Sequence, residues 1–256
     1  MTASTSSIVA VIPARWKSTR FPGKMLHLLA GRPLIEHVWR RCSRALHLQR
    51  VIIATDSERI ATVAKNFGAE VIMTSENHQS GTDRVAEVAT LLEKEKIFPS
   101  HFINVQGDEP LLEPKLIERF ARFMAKSPDL QMVTAATPLR ANHQNPNLVK
   151  VVLDCKKRAL YFSRAPLPFH RDQEDRASIV QPLLHLGIYG FRADTLKRFV
   201  SYQPSPLECC EKLEQLRALE YGIPIDVIIT NHRSHGVDTP ADALALEKII
   251  TKKETC

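Results

Sequence analysis

Val9-Ala-Val-Ile-Pro-Ala-Arg-Trp-Lys-Ser-Thr-Arg-Phe-Pro-Gly-Lys24 runs from an apolar segment into a strongly basic loop. Residues 8–12 are all apolar, which predicts a short buried strand. The loop that follows carries the cationic residues Arg15, Lys17, Arg20 and Lys24. A parallel strand that ends in such a loop is the usual phosphate-binding position of an α/β sheet, so the stretch predicts an anion site. The spacing matches neither the P-loop nor the dinucleotide glycine pattern, and a solvated surface loop is the alternative.

The first half of the chain alternates strand-like and helical patterns. Apolar residues at helical spacing predict helices at 34–42, 58–67, 85–92 and 115–124. Short apolar runs predict strands at 8–12, 51–55, 71–74 and 102–105. This order predicts an α/β fold with a mostly parallel central sheet covered by helices.

Residues 132–191 break this alternation. Strands predicted at 132–137, 149–153, 160–163 and 185–191 have no helices between them, which predicts a small antiparallel lobe. Uncovered strand edges commonly pair with a second subunit, so we expect the lobe to form a homodimer interface. The prolines at 166 and 168 and the charged stretch 171–176 predict an exposed loop. Whether that loop acts as a lid stays open.

The last third of the sequence returns to helical patterns. A helix is predicted at 207–221, a strand at 225–230 and a final helix from Pro240. The sequence contains no Gly/Ser-rich linker. We therefore expect residues 1–256 to form one domain that includes the lobe at about 132–191.

Acidic residues follow predicted strand ends at two further places. Asp108 and Glu109 come after the strand at 102–105, and Asp238 precedes Thr239-Pro240. Carboxylates in these positions suit Mg²⁺, which prefers oxygen ligands and commonly binds substrate phosphates as well. The alternative for Asp108 and Glu109 is that they cap the helix that follows, and the residue after Asp238, Thr239, has the pattern of an N-cap with Pro240 at the first helical position. Together with the basic loop, the acids predict Mg²⁺ and triphosphate chemistry.

Seven segments, in order along nearly the whole chain, resemble the 3-deoxy-manno-octulosonate cytidylyltransferase (CMP-KDO synthetase) family. The resemblance implies a three-layer, Rossmann-like nucleotidyltransferase fold and transfer of CMP from CTP to KDO, which activates that sugar acid for lipopolysaccharide synthesis. The segments are Ile12-Pro-Ala-Arg-Trp-Lys-Ser-Thr-Arg-Phe-Pro-Gly-Lys24, His78-Gln-Ser-Gly-Thr-Asp-Arg84, Asn104-Val-Gln-Gly-Asp-Glu-Pro110, Tyr161-Phe-Ser-Arg164, His185-Leu-Gly-Ile-Tyr-Gly190, Leu213-Glu-Gln-Leu-Arg217 and Gly236-Val-Asp-Thr-Pro240.

The resemblance also implies a role for each candidate residue of the nucleotide site. Arg15, Lys24 and Asp108 would be catalytic, and Asp108 and Asp238 would hold Mg²⁺. In-line attack on a phosphate needs positioning and cations more than covalent help, which fits this set. The residues expected to bind CTP are Ala14, Arg15, Arg20, Lys24, Ser80, Gly81, Arg84 and Gln106. Without the resemblance, Ser80 would be an ordinary helix N-cap.

A second set of polar residues is expected to bind the sugar acid. Arg164 suits a carboxylate because its guanidinium can bind one bidentately. The residues expected to bond the hydroxyls are Gln106, His185, Tyr189, Glu214 and Gln215. Alternatives remain for these residues, since a histidine in an apolar strand is commonly part of the core, and Glu214 could pair with Arg217 on an exposed helix face.

Composition narrows the classes of function. The net charge of +7 fits anionic small substrates, because basic clefts concentrate anions, and the scattered basic residues form no nucleic-acid-binding module. The five cysteines, Cys209-Cys210 among them, show neither zinc nor disulfide spacing, so we expect reduced thiols and a cytoplasmic protein. No signal peptide or membrane-spanning run is apparent.

Three other functions compete with this interpretation. A CMP-sialic acid synthetase would share the nucleotide chemistry and differ in the sugar acid. A glycosyltransferase would commonly carry an Asp-x-Asp metal motif, whereas this strand end reads Gly107-Asp-Glu-Pro110. A basic nucleic-acid-binding protein would bind DNA or RNA with a steep salt dependence and would not turn over CTP.

Overall fold

The computed structural model describes residues 7–18, 20–127, 129–169, 171, 180–233 and 235–254. These residues group into two compact units. The first unit contains the chain up to residue 126 and again from 233, and the second contains residues 127–232. A grouping by contacts does not show whether the units fold independently, so the single domain stays a prediction.

The first unit alternates strands and helices as predicted. A short 3₁₀ helix, Lys24–Leu26, follows the first strand. The other elements, in order, are β1 (Ile8–Ala14), β2 (Leu28–Leu29), β3 (Arg32–Pro33), α1 (Leu34–Cys42), β4 (Arg50–Thr55), α2 (Glu58–Asn66), β5 (Glu70–Met73), α3 (Gly81–Lys94), β6 (His101–Asn104) and α4 (Pro114–Lys126).

The second unit begins with strands and ends with a strand, and the chain then returns to the first unit. Its elements are β7 (Met132–Pro138), β8 (Lys150–Leu153), β9 (Ala159–Ser163), β10 (Leu183–Arg192), α5 (Ala193–Ser201), α6 (Pro206–Glu211), α7 (Gln215–Glu220) and β11 (Ile225–Ile229). The final helix, α8 (Pro240–Glu254), belongs to the first unit.

The parallel sheet of the first unit is built around β1. This strand pairs in parallel with β4 on one side and with β6 on the other, and β4 pairs in parallel with β5. Residues 8–12 are all buried, which explains why the strand is continuously apolar rather than alternating. Because the strands run in parallel, the loops after β1, β4, β5 and β6 leave the sheet at the same edge, and this confirms the predicted α/β class.

The second unit contains the predicted antiparallel strands. β10 pairs antiparallel with β7 and with β8, and β8 pairs antiparallel with β9. β11, which comes after the predicted lobe in the sequence, pairs with β7 in parallel. The strands of the second unit therefore include one that lies beyond residue 191 and is not antiparallel. Arg171 is exposed, and residues 172–176 of the predicted loop lie outside the described residues.

The single helix predicted at 207–221 is wrong, because the structure has two short helices there. Lys212 adopts a left-handed backbone conformation (φ 53°) that ends α6, and α7 begins three residues later. The break turns Leu213 and Leu216 into the core, where both are buried. No helix in the described part of the chain is long and apolar enough to span a membrane.

Candidate functional site

A cavity of about 300 Å³ lies at the carboxyl edge of the parallel sheet in the first unit. It brings together most of the predicted nucleotide residues from three loops and from the start of α8. The lining includes Arg15, Arg20, Lys24, Ser80, Gly81, Arg84, Gln106, Asp108 and Asp238. Ala14 is the buried last residue of β1 at the same edge. The cavity is therefore lined by both cations and carboxylates.

Lys24 is at the centre of the charged groups. Gly23 has a left-handed backbone (φ 67°), and the turn it makes starts the 3₁₀ helix whose first residue is Lys24. The Lys24 side chain is 10 % exposed, and its Nζ lies 2.6 Å from Asp108 Oδ2 and 3.8 Å from Asp238 Oδ1. Arg20 Nη2 donates to Asp238 Oδ1 at 3.0 Å. Two carboxylates from distant parts of the sequence thus converge on one cation.

Backbone contacts hold the two acids in place. The carbonyl oxygen of Asp108 accepts a hydrogen bond from Val237 N at 2.9 Å, which joins the loop after β6 to the segment before α8. Asp242 Oδ2 accepts from Asp238 N at 3.0 Å and from Thr239 N at 2.8 Å. Partial burial raises the pKa of Asp242, but these bonds outweigh it and lower the pKa overall. Thr239 Oγ1 accepts from Asp242 N at 3.3 Å, so Thr239 caps α8 as predicted, and the Asp238 side chain is available at the cavity.

The carboxylate oxygens have the chemistry of a Mg²⁺ site. They already converge on a cationic group, and both side chains are partly exposed, Asp108 by 27 % and Asp238 by 52 %. Among the described residues, no group of three or more His, Cys, Asp and Glu side chains is placed to bind a metal. A Mg²⁺ ion here would therefore take its remaining ligands from water and from the phosphates of a substrate.

Asp56, which sequence reasoning missed, fixes the geometry of the basic loop. It follows β4, and its Oδ1 accepts from Trp16 N at 3.0 Å while its Oδ2 accepts from Arg84 Nη2 at 2.9 Å. Arg84 also donates to Thr74 and is only 3 % exposed. A buried ion pair of this kind ties the loop after β1 to α3. In the structure the Arg84 guanidinium supports the cavity wall through these two partners.

The start of α3 forms another part of the wall. Ser80 Oγ accepts from Asp83 N at 3.0 Å, and the Asp83 carboxylate accepts from Ser80 N at 3.1 Å, so Ser80 is a capping-box residue. A Cβ atom added to Gly81 would lie 3.4 Å from Pro13 Cγ. The helix start therefore packs closely against the end of β1 at the edge of the cavity.

The second unit brings four of the predicted sugar-acid residues together: His185, Tyr189, Glu214 and Gln215. The rings of His185 and Tyr189 lie 5.4 Å apart, and Tyr189 Oη donates to Gln215 Oε1 at 3.1 Å. Burial lowers the pKa of His185 to about 3, so its imidazole is neutral. Burial, together with the charge of Glu214, raises the pKa of Tyr189.

Gln215 carries an unusual polar atom. Within the described residues, its side-chain nitrogen is buried and has no hydrogen-bond partner, and the residue is 3 % exposed. Leaving a buried amide donor unpaired is costly, so such a group needs a partner, which is either an ordered water or a bound ligand. The orphaned donor fits a site that receives a hydroxyl group.

Arg164 has a different environment from the one predicted. Its Nε donates to the carbonyl oxygen of Glu211 at 2.7 Å, its Nη1 to that of Pro146 at 2.9 Å and its Nη2 to that of Lys212 at 3.3 Å. The guanidinium thus holds two backbone segments together. Binding of a sugar carboxylate by Arg164 stays a prediction.

Lys150, another residue that sequence reasoning missed, anchors the same region. It is fully buried, and its Nζ donates to the carbonyl oxygens of Asn145, Leu148 and Arg164. Burial lowers the pKa of its amine, as does the charge of Arg164. A lysine in an alternating strand is expected on the exposed face, so the sequence offered no signal for this role.

Comparison with known proteins finds relatives that match nearly the whole chain. The cytidylyltransferase family profile matches residues 9–228. A relative from Geobacter sulfurreducens, named 3-deoxy-manno-octulosonate cytidylyltransferase, is 48 % identical over 96 % of this chain and 99 % of its own. A relative of the same name from Syntrophotalea carbinolica is 46 % identical over 94 % of this chain and 97 % of its own.

A solved structure matches this chain in its fold. It is a CMP:2-keto-3-deoxy-manno-octonic acid synthetase complexed with CTP, 37 % identical to this chain, with a TM-score of 0.90. The match covers 97 % of this chain and 100 % of that protein. The likeness therefore extends over both units and every segment that carries the candidate residues.

Proposed function

The chain belongs to the 3-deoxy-manno-octulosonate cytidylyltransferase family, and we propose on this basis that it transfers CMP from CTP to 3-deoxy-D-manno-octulosonate (KDO) and releases pyrophosphate. The observation that carries the proposal is the cavity in which Lys24 meets Asp108 and Asp238 at the edge of a parallel sheet. The names of the relatives favour KDO over sialic acid as the acceptor.

The cationic side chains of the first unit would bind the triphosphate. Arg15 and Arg20 are exposed on the basic loop, and Lys24 lies deeper in the cavity. Attack of a sugar hydroxyl on the α-phosphorus needs in-line positioning and positive charge around the phosphate oxygens. We propose that Lys24 exchanges part of its contact with Asp108 for a phosphate oxygen when the nucleotide binds.

We propose that Asp108 and Asp238 hold Mg²⁺ when the nucleotide is bound. When bound, the ion would neutralise phosphate charge and orient the triphosphate. The two carboxylates would contribute oxygen ligands from the loop after β6 and from the segment before α8. Lys24 and Arg20 would then balance the remaining negative charge of these acids.

The buried polar residues of the second unit would receive the sugar acid. The unpaired Gln215 nitrogen can donate to a hydroxyl, and Tyr189 Oη and Gln215 Oε1 already orient each other. Since burial keeps His185 neutral, its ring would act through hydrogen bonds rather than through charge. We keep Arg164, Glu214 and Gln106 in this role as proposals.

The cellular setting is also a proposal. We infer a cytoplasmic homodimer that activates KDO for lipopolysaccharide synthesis. Large apolar side chains exposed on the second unit support an interface there, namely Leu160, Phe169 and Val180, with exposed fractions of 60 %, 85 % and 50 %. Sedimentation at micromolar concentration should give twice the monomer mass, and a monomer alone would contradict the dimer.

A pyrophosphate-release assay tests the reaction. The protein is mixed with each of four nucleoside triphosphates, with KDO or sialic acid as acceptor, with and without Mg²⁺. We expect release only with CTP, KDO and Mg²⁺ together. Turnover with sialic acid but not with KDO would show that KDO is not the acceptor, although the protein would still be a nucleotidyltransferase. No turnover with any combination of nucleotide and sugar acid would overturn the proposed function.

A further inference from the structure

Trp16 lies in the basic loop after β1, on the amino-terminal side of Lys24. It does not line the nucleotide cavity, and it lines a separate pocket together with Asp56 and Arg59. The indole is half-buried, although the residues around it in the sequence are mostly polar or charged. A large aromatic side chain stabilises a structure mainly through the surface that it buries, so the contacts of this ring indicate its role.

Two groups outside the loop hold Trp16. Its backbone N donates to Asp56 Oδ1 at 3.0 Å, and the guanidinium carbon of Arg59, on α2, lies 5.1 Å from the centroid of the ring. A guanidinium over an indole is attracted by the electrons of the ring. Asp56 is itself paired with the buried Arg84. The loop is therefore fastened at Trp16 to α2 and to the loop after β4.

The other contact of the ring is with Gly23. A Cβ atom added to Gly23 would lie 3.6 Å from Trp16 Cη2 and 4.0 Å from Trp16 Cζ3, so the six-membered ring lies where a side chain of residue 23 would point. Gly23 has the left-handed backbone (φ 67°) from which the 3₁₀ helix Lys24–Leu26 begins. The ring thus lies beside the turn that carries Lys24.

We propose that Trp16 is a positioning residue for Lys24. Its ring, held by Arg59, limits the movement of the turn at Gly23 and so keeps the Lys24 amine between its two carboxylate partners. Neither Trp16 nor Arg59 would touch a substrate. The inference rests on the proposed function, because it takes Lys24 to bind the phosphates of CTP.

The turn needs such a support. Glycine has no Cβ atom and reaches more backbone conformations than any other residue, so Gly23 alone does not hold one conformation. The Lys24 amine, in contrast, has a defined place, 2.6 Å from Asp108 Oδ2 and only 10 % exposed as a side chain. Misplacing a positioned group by about 1 Å can cost roughly a hundredfold in turnover. A ring that restricts the turn would therefore affect the reaction without contacting it.

The first measurement needs no substrate. The folded protein is treated with an acylating reagent, and the rate of modification of each lysine is followed by peptide mass spectrometry. Lys24 should react slowly in the wild type, because its amine is nearly buried and paired with a carboxylate. Trp16→Leu keeps an apolar side chain but removes the flat ring, and it should raise this rate on the order of tenfold. Trp16→Phe keeps a flat ring and should restore most of the protection.

Two other lysines are internal controls for the fold. Lys150 is fully buried, and Lys115 is exposed on α4. Lys150 should stay protected and Lys115 should react at the wild-type rate in every variant. Exposure of Lys24 together with Lys150 in Trp16→Leu would mean general unfolding and would overturn a specific role for the ring.

Arg59→Gln tests what holds the ring. The substitution removes the charge over the indole, so the rate at Lys24 should rise, although less than in Trp16→Leu. Lys65→Gln is the matched control, because Lys65 is an exposed cation in the last turn of the same helix. It should leave the rate at Lys24 unchanged. Equal rates in Arg59→Gln and the wild type would overturn the role of Arg59.

Equilibrium binding of CTP, measured by calorimetry, shows whether Trp16 acts through Lys24. Trp16→Leu should weaken CTP binding on the order of tenfold. In a Lys24→Met background the same change should weaken it by less than about twofold, because the amine that the ring positions is gone. A tenfold effect in both backgrounds would show that Trp16 acts independently of Lys24 and would overturn the inference.

The two measurements separate this inference from the proposed function. Wild-type protection of Lys24 in Trp16→Leu would overturn the positioning role, whether or not the protein binds CTP. Rapid modification of Lys24 in Trp16→Leu, in a protein whose wild type does not bind CTP, would support the positioning of Lys24 and overturn the proposed function.

Discussion

At Lys24 the chain places a nearly buried amine against two carboxylates, and each of these groups depends on the others. Lys24 Nζ is 2.6 Å from Asp108 and 3.8 Å from Asp238, and its side chain is 10 % exposed. A buried cation needs a paired charge, and the acids need a cation to offset their repulsion. The charged groups of the site are therefore already close together in the structure without a ligand.

The first prediction concerns Asp108. Asp108→Asn keeps the shape of the side chain but removes the charge that pairs with Lys24 and that the proposed Mg²⁺ would need, so turnover should fall by about two orders of magnitude or more. Steady-state assays over a range of Mg²⁺ concentrations measure the effect. Glu76→Gln is the control, because Glu76 is an exposed acid paired with Lys17 near the same loop. Near-native turnover in Asp108→Asn would show that this carboxylate is not needed.

The second prediction separates two roles of Arg164. Its guanidinium donates to three backbone carbonyl oxygens, which would lose their partner in Arg164→Ala. We expect the free energy of unfolding in urea to fall by about 1–3 kcal/mol, as for other unsatisfied polar groups. If stability is unchanged while KDO binding is lost, Arg164 acts on the sugar acid alone. The exposed Arg198→Ala, which loses one bond to Gln131, is the control.

The residues proposed to bind ligands could be named from the sequence more easily than the residues that hold those side chains in position. The nucleotide candidates were named because they occur in compact, recognisable segments. Asp56 and Lys150 act through partners up to 40 and 14 positions away, and no local pattern marks such pairs. A single sequence shows which side chains are present but not which distant backbone groups they will meet.

At the scale of elements, the apolar patterns predicted the parallel sheet well. Each predicted strand of the first unit overlaps an observed one. The strands β1 and β6 and most of β4 are buried, whereas β5 is partly exposed. The β2–β3 hairpin and α5 were not predicted. Each hairpin strand has only two residues, too few for a periodic pattern, and α5 begins directly after β10 without a capping hydrogen bond from a side chain.

The third prediction tests the junction between β6 and β1. A Cβ atom at Gly107 would lie 2.7 Å from the carbonyl oxygen of Pro13 and 3.2 Å from Met25 Sδ. Gly107→Ala must therefore push β1 and the loop apart, and we expect a loss of about 1–3 kcal/mol in thermal or urea unfolding. Gly81→Ala is the matched control, since its Cβ would meet Pro13 at an ordinary distance of 3.4 Å. Equal stability of the two variants would contradict the close packing.

At the scale of the whole molecule, the candidate residues of the two units differ in their charge. The candidate site of the first unit relies on paired ions, such as Arg84 with Asp56 and Lys24 with Asp108. The polar cluster of the second unit relies on neutral groups, among them the ring of His185 and the hydroxyl of Tyr189. Acid should therefore weaken the second cluster at a higher pH than it weakens the carboxylate pairs.

The fourth prediction concerns this dependence on pH. The pKa of His185 is lowered to about 3 in the folded protein, so between that value and the ordinary value of about 6.5 the unfolded chain binds a proton that the folded chain does not. The contribution to stability is complete above pH ~6.5 and is lost as pH falls, by about 1.4 kcal/mol per pH unit. His185→Gln should flatten the decline between pH 6.5 and pH 5, measured by urea unfolding. His143→Gln, at a histidine of the same unit bonded to the carbonyl oxygen of Leu139, is the control for the effect of a histidine-to-glutamine change itself. An unchanged slope in His185→Gln would mean that the ring accepts a proton without unfolding the cluster, and the neutral environment inferred for the sugar-acid residues would then be wrong.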